Sequence, residues 1–368
     1  MKKLELTKEL KLRHLKYCIG KRKNNTYLES RPYGRILKYK NSDYPQNYKI
    51  GNTTLKINVR KNTRRKMIEY LIENFNSIII GTPQKLLMIE EEFYNLVYTE
   101  ELKFKNDKDL TITDIKKKLY NFLYRIFKYE TFSSAKPGNI WGAYQLIEGL
   151  NNTICVYCNS QFTHTVYRPE NLERREVKIR PSLDHFLPRS KHPLLGVSIY
   201  NLIPACYTCN SSLKGDEEIS LDQIIHPYLD SFDKMGYFER EFTVPTSEKY
   251  TEYSDFYSQV VGRSTNYTIK LKPHNELAKE KIIGTERLFE LEERYTQYKK
   301  IINDYVKKNI IYTDIYLNKL KDSYCFLFDK TYTLEQIIIE EDINNNLLSK
   351  IINDITLYEL KLLVHGKV

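Results

Sequence analysis

Leu55, Ile57 and Val59 alternate with Lys56, Asn58 and Arg60, which puts every second side chain on one face and predicts a strand. The period then turns helical. Met67, Ile68, Leu71, Ile72 and Phe75 share one face, with Thr63 in place to cap it. Thr82-Pro83 predicts another helix start, followed by Leu86, Leu87, Ile89, Phe93 and Val97. A third helix is predicted through Ile115, Leu119, Phe122, Leu123, Ile126 and Phe127, with Thr113 near its start and the lysines at 116–118 on its wet face. Residues 1–50 have little periodicity and are expected to be loop-rich. Residues 133–139, with Ser, Pro and Gly, mark a linker. Trp141, Tyr144, Leu146 and Ile147 predict a short helix after it. Residues 242–244 and 267–271 predict strands. From about Thr285 a helical pattern runs through Leu288, Leu291, Tyr295, Tyr298, Ile302 and Tyr305. Further helices are expected at 314–328, 333–340 and 346–364. The expected class is α+β in three parts: a mixed N-terminal region (1–135), a central module (140–235) and a mainly helical C-terminal region (236–368).

Charge changes this picture at one end. Residues 1–66 hold 20 Lys and Arg against 4 Asp and Glu, a net of +16, while the rest of the chain nets −5. Tyr17, Tyr27, Tyr33, Tyr39, Tyr44 and Tyr48 are interleaved with these cations. Lysine and arginine neutralise phosphates and tyrosine faces can stack on bases, so nucleic-acid contact is expected here. An acidic protein partner and a merely solvated arm are the alternatives. No run is apolar enough to span a bilayer and the start of the chain has no apolar leader core, so a cytoplasmic, membrane-free protein is expected.

Six cysteines are too few for a disulfide scaffold in a chain of this length. Cys155 and Cys158 form one C-x-x-C, and Cys206 and Cys209 another; four thiolates so spaced suit a structural Zn²⁺. Cys18 and Cys325 are expected to be ordinary buried thiols. Between the pairs stand Asp184 and His185. Imidazole titrates near neutrality and can serve as a base, and carboxylate is a hard ligand for Mg²⁺ or Mn²⁺. Neighbours on a strand point to opposite faces, so both serve one site only if the chain bends there.

Cys155-Val-Tyr-Cys158, Leu183-Asp184-His185-Phe186-Leu187-Pro188, Tyr200-Asn201-Leu202-Ile203-Pro204-Ala205-Cys206 and Cys209-Asn210-Ser-Ser-Leu-Lys214 together resemble the HNH endonucleases, or ββα-metal nucleases. The resemblance covers about a sixth of the chain. It implies a ββα zinc module and a catalytic set of His185 as base, Asp184 and Asn210 as ligands of Mg²⁺ or Mn²⁺, and Asn201 pinning the loop. Many family members carry His where this chain has Asn210. Arg189, Lys191 and Lys214 are candidate nucleic-acid contacts. His192 is expected in a loop near the DNA, and His164 to be structural. His226 is either a supporting group of the site or the cap of the following turn. His14, His274 and His365 carry no signal.

The longer context, Trp141 ahead and His226-Pro227-Tyr228 behind, resembles stand-alone bacterial HNH proteins of phage-defence loci. That implies an antiviral nuclease acting on double-stranded DNA, with a homodimer or a protein partner such as an ATPase as possible assemblies. The competing functions are a partner-dependent subunit and a non-catalytic, zinc-stabilised nucleic-acid-binding protein.

Overall fold

The structure is a computed structural model that describes residues 3–103, 110–135, 141–168, 176–244, 246, 250–311, 319, 322–323, 343 and 345–365. It is a mixed α+β chain in which helix predominates. In order come α1 (Lys8–Ile19), α2 (Pro32–Asn41), β1 (Asn47–Ile50), β2 (Thr53–Lys56), α3 (Lys61–Glu73), α4 (Phe75–Ile80), α5 (Pro83–Leu102), α6 (Ile112–Ile126), α7 (Glu130–Ser133) and α8 (Ala143–Gly149). Then follow β3 (Val166–Arg168), β4 (Glu176–Ile179), β5 (Ser182–His185), β6 (Leu202–Ala205), a π-helix (Thr208–Lys214), α9 (Phe232–Met235) and β7 (Gly236–Glu241). The last described elements are α10 (Tyr250–Val260), β8 (Thr268–Pro273), α11 (Glu276–Phe289), α12 (Leu291–Thr296), α13 (Lys299–Ile311) and α14 (Ser349–His365). The described strands pair only in antiparallel couples: β1–β2, β3–β4, β5–β6 and β7–β8. One continuous apolar core runs from Leu4 to Ile355. Among the described residues no helix is long and apolar enough to cross a membrane.

Several sequence expectations change. Residues 1–50 are not loop-rich but form α1, α2 and β1. The buried face of α1 is Leu10, His14, Tyr17 and Cys18, a helical spacing interrupted for hydropathy by His14. The tyrosines of the basic segment pack inward. Tyr17, Tyr39 and Tyr48 are buried, Arg31 lies 3.7 Å over the Tyr17 ring, and Tyr33 meets Phe75 edge-on. Thr63 is no cap; it sits inside α3 and donates its hydroxyl to Glu101 at 2.6 Å. Phe75 opens a separate helix after Asn74. The cap of α6 is Thr111, which forms a capping box with Asp114. Residues 242–244 lie beyond the end of β7, and the helix expected from Thr285 begins at Glu276 and breaks at left-handed Glu290. Cys18 is buried as a free thiol. The helices expected at 314–328 and 333–340, and Cys325, fall largely or wholly outside the described residues.

The N-terminal helices form a wall against the centre of the chain. Arg35 of α2 donates through Nη1 to the carbonyls of Ile126 at 2.8 Å and Arg125 at 3.2 Å, satisfying the end of α6. His14 of α1 donates from Nε2 to the carbonyl of Val197 at 2.7 Å, and its Nδ1 accepts from Trp141 Nε1 at 3.1 Å. A carbonyl only accepts and an indole only donates, so the neutral tautomer is fixed at both nitrogens.

Burial lowers the His14 pKa from 6.5 to about 4, the Val197 bond opposing. The unfolded chain therefore takes up a proton at His14 below about pH 6.5 that the folded chain refuses until near pH 4. Stability on this account is full above pH 6.5 and falls as pH drops towards 4. At pH 5 the loss from His14 is about 2 kcal/mol. Urea midpoints at pH 7.5 and pH 5 check this: the acid-induced loss should be smaller in His14→Gln than in the parent chain.

Candidate active site

Two segments far apart in sequence meet at the cysteines. In the first, Ile154 bridges Phe162 across a tight hairpin, and Asn159, with φ 50°, donates its amide to the Cys155 carbonyl at 2.8 Å. In the second, Cys206 directly follows β6 and Cys209 lies in the π-helix. The Sγ atoms of Cys155, Cys158, Cys206 and Cys209 all lie within 4.8 Å of one another and are buried; Cys158 and Cys206 are 4.0 Å apart. A tetrahedral zinc with Zn–S near 2.3 Å separates its sulfurs by about 3.8 Å, so the cluster fits the ion. The Cys206 amide points at Cys155 Sγ and the Cys209 amide at Cys206 Sγ, both at 3.4 Å. Arg294 of α12 donates to Cys209 Sγ at 3.2 Å, which offsets the negative charge of four thiolates on a dication. Arg294 gave no signal in the sequence.

From this cluster the chain runs strand, loop, strand, helix. β5 and β6 pair with Asp184 opposite Ile203 and His185 opposite Leu202, and the π-helix packs on β5. A π-helix has spare backbone width and is uncommon outside functional sites. Here the Gly215 amide reaches the Asn210 carbonyl at 3.0 Å, with Gly215 at φ 49°, a conformation open to glycine.

Asp184 and His185 border the same cleft although they are neighbours on a strand, because β5 ends at His185. Asp184 is 2% exposed. Its Oδ2 accepts from Tyr157 at 2.7 Å and its Oδ1 from Lys214 Nζ at 3.0 Å. Burial pushes the Asp184 pKa up, while Lys214 and Tyr157 hold it down. Lys214, expected at a phosphate, is thus an interior group: its ammonium also donates to the His185 carbonyl at 2.7 Å. Tyr157, between the first two cysteines, stacks on Phe289 at 4.5 Å. Its task was not legible in the motif.

His185 is the last residue of β5, where the chain bends away. Its Nε2 is 3.0 Å from the Gly196 carbonyl, so Nε2 carries the proton and Nδ1 keeps a lone pair. Tyr129 meets the ring edge-on at 4.6 Å. Burial lowers the His185 pKa to about 4, the Gly196 bond opposing, so the ring is neutral at pH 7. Gly196 earns its place by contact: a Cβ there would stand 2.8 Å from the Phe127 carbonyl.

Asn201 is buried and spans the loop. Its Oδ1 accepts from the Leu187 amide at 2.7 Å, and its Nδ2 donates to the carbonyls of Leu187 at 3.0 Å and Leu195 at 3.3 Å. Asn210 donates from Nδ2 to Ser211 Oγ at 3.0 Å. Asp184, His185 and Asn210 all line one open cleft of about 560 Å³, whose opposite wall is Tyr120, Tyr124 and Tyr129 of the N-terminal region. Arg189 crosses this cleft. It lies 4.2 Å over the Tyr124 ring, donates to the Tyr124 hydroxyl and pairs through Nη2 with Glu130 at 2.8 Å, while its Nη1 has no hydrogen-bond partner. Lys191 lies at the surface, 3.3 Å from Glu218. His192, expected near DNA, is buried against Glu90. His226 is the cap of its turn: its Nδ1 accepts the Tyr228 amide at 3.2 Å. His164 is exposed beside Phe162.

Asp184 and Asn210 border the same cleft, and their oxygens are of the type that hard cations take. Two hydrogen bonds use about two of the four lone-pair positions of a carboxylate. A carboxylate and an amide oxygen beside a cleft suit Mg²⁺ or Mn²⁺.

The chain is 33% identical over 97 residues to Septu protein PtuB of Bacillus thuringiensis, covering 25% of this chain and 32% of that protein. It is 40% identical over 52 residues to protein ea31 of Escherichia phage lambda, 13% of this chain and 17% of that one. The matches thus span about a third and about a sixth of the relatives' lengths. No family model and no solved structure matches the chain.

Two outcomes are expected from this geometry. Cys206→Ser should lose the metal held by the cysteines and unfold more readily, as metal content and urea melts would report. Asn201→Ala should strand the buried Leu187 amide at a cost of about 1–3 kcal/mol. Its hydrogen exchange should speed up at Leu187 before it does in the helices.

Proposed function

We propose that the chain is a metal-dependent DNA endonuclease of the HNH type, acting in anti-phage defence. The observation that carries this is His185: a neutral imidazole whose Nε2 is fixed by the Gly196 carbonyl and whose Nδ1 lone pair is spare, in the same cleft as Asp184 and Asn210. The strand–loop–strand–helix order on a four-cysteine cluster supports the ββα reading. The likeness to a Septu protein supports the defence role.

Hydrolysis of a phosphodiester needs a water stripped of a proton and charge neutralised on the phosphate and the departing oxygen. Nδ1 of His185 takes the proton from the attacking water. An Mg²⁺ or Mn²⁺ ion held by Asp184 and Asn210 would supply the neutralising charge. Arg189, oriented by Glu130 and Tyr124, places its positive charge at the cleft wall for a phosphate; Lys191 meets the backbone farther out. Asn201 holds the loop that keeps the Gly196 carbonyl against His185. The products are a 5′-phosphate and a 3′-hydroxyl. Lys214 keeps the buried Asp184 charge paired, and the cysteine zinc serves the fold alone. The basic surface of residues 1–66 steers double-stranded DNA to the cleft. Residues 1–135, 140–235 and 236–368 act as DNA-contacting, nuclease and assembly regions of a cytoplasmic protein.

One observation favours a variant of this reading, a subunit latent until a partner such as an ATPase or a second copy binds. Tyr157 and Lys214 already hold both oxygens of Asp184, so an arriving ion has to share or displace them.

The test is plasmid nicking with Mg²⁺, Mn²⁺ or EDTA. Cleavage should need the ion and fall at least about a hundredfold in His185→Ala, with cysteine-bound zinc retained. A base with a pKa near 4 stays unprotonated to well below neutrality, so the rate should not drop on this residue's account between pH 8 and pH 6. Undiminished cleavage by His185→Ala would refute the mechanism.

A further inference from the structure

The loop between β5 and β6 carries a second histidine that the chemistry above does not use. His192 is 7% exposed. Its Nδ1 lies 2.5 Å from Oε2 of Glu90, a buried carboxylate on α5. Its Nε2 is buried and has no hydrogen-bond partner. A carboxylate at Nδ1 draws the proton to that nitrogen and leaves a lone pair on Nε2. Facing it at 3.6 Å is Oε1 of Glu218, whose other oxygen is taken by Lys191 at 3.3 Å.

A gap of 3.6 Å is too long for a hydrogen bond. It is the separation of two ligands that each stand about 2.1 Å from one ion and subtend an angle near 120°. Carboxylate to imidazole to ion is also the arrangement that orients a ligating histidine and raises its basicity. His192 and Glu218 both line an open cleft of about 640 Å³, room for water to complete a coordination shell.

We propose that His192 Nε2 and Glu218 Oε1 bind a divalent transition-metal ion, of the Zn²⁺ or Mn²⁺ class, at a site separate from the cysteines, with Glu90 as a positioning residue. A nitrogen and an oxygen donor select such ions over Ca²⁺. The ion joins α5, the β5–β6 loop and the segment after the π-helix. The His192 amide donates to the Pro188 carbonyl at 2.8 Å, so the ion stiffens the turn that carries Arg189. The proposal is independent of the nuclease reading, because its test reads binding.

Cobalt(II) titrated into the full-length, metal-free chain distinguishes the sites by absorption. The first equivalent, at the cysteines, should give thiolate-to-cobalt charge transfer. A further equivalent should give only weak visible bands. Glu218 is 61% exposed in its side chain, so Glu218→Gln spares the fold. That variant should weaken the further equivalent at least tenfold, whereas Asn210→Ala should leave it intact. A single equivalent in the parent chain would reduce His192 to a buried ion pair with Glu90. A Glu218→Gln chain that binds as many equivalents as the parent with the same affinities, or a loss seen in Asn210→Ala alone, would place the ion elsewhere; either result overturns the proposal.

Discussion

Four sulfurs that must meet within 4.8 Å determine where everything else in the central module can lie. They lock a hairpin at 155–162 to the end of β6 and the start of the π-helix, which the apolar contacts of so short a segment would not do alone. The same hairpin is the anchor of the C-terminal helices. Asn159 accepts the Lys350 amide at 2.9 Å and donates to the Ile343 carbonyl at 2.8 Å, and Tyr295 donates to the Cys158 carbonyl at 2.6 Å. Removal of the cation would therefore leave charge repulsion, or buried unpaired thiols, at the junction of the module and α12–α14.

The basic N-terminal region has a structural role first. Its tyrosines fill the core, Arg35 satisfies the end of α6, and His14 holds the loop at Val197. By fixing α6 and α7, these contacts set Tyr124, Tyr129 and Glu130, and through them Arg189 and the edge of His185. The cations of this region are thus carried on packed helices rather than on a trailing arm.

What the sequence disclosed depended on whether one residue type carried the signal. Cysteine spacing is such a case, and the loop-spanning part of Asn201 is another, because a buried amide can satisfy three backbone groups at once. The helices α3, α5 and α6 were visible because their buried faces are aliphatic. α1 and α2 were not, because His14 and Arg35 occupy buried positions that pattern-reading treats as polar. Long-range pairings were invisible for a different reason: no local pattern says that Tyr157 will meet Asp184 or that Arg294 will meet Cys209. Lys214 shows the converse error, a lysine at a surface-like spacing whose ammonium lies inside.

That lysine bears on how the cleft behaves before any substrate arrives. An isolated carboxylate as buried as Asp184 would lose several kcal/mol of hydration. Lys214 and Tyr157 compensate by bringing one positive charge and two donors to it. A divalent ion brings more charge than one ammonium, yet it must still compete with a partner that is covalently tethered and already desolvated. Affinity at Asp184 is therefore set by the difference between two cations, not by the carboxylate alone. Lys214 also holds the His185 carbonyl, so any shift of its ammonium is felt in the backbone at His185. The Asp184 carboxylate and the backbone at His185 are in this way coupled through one side chain.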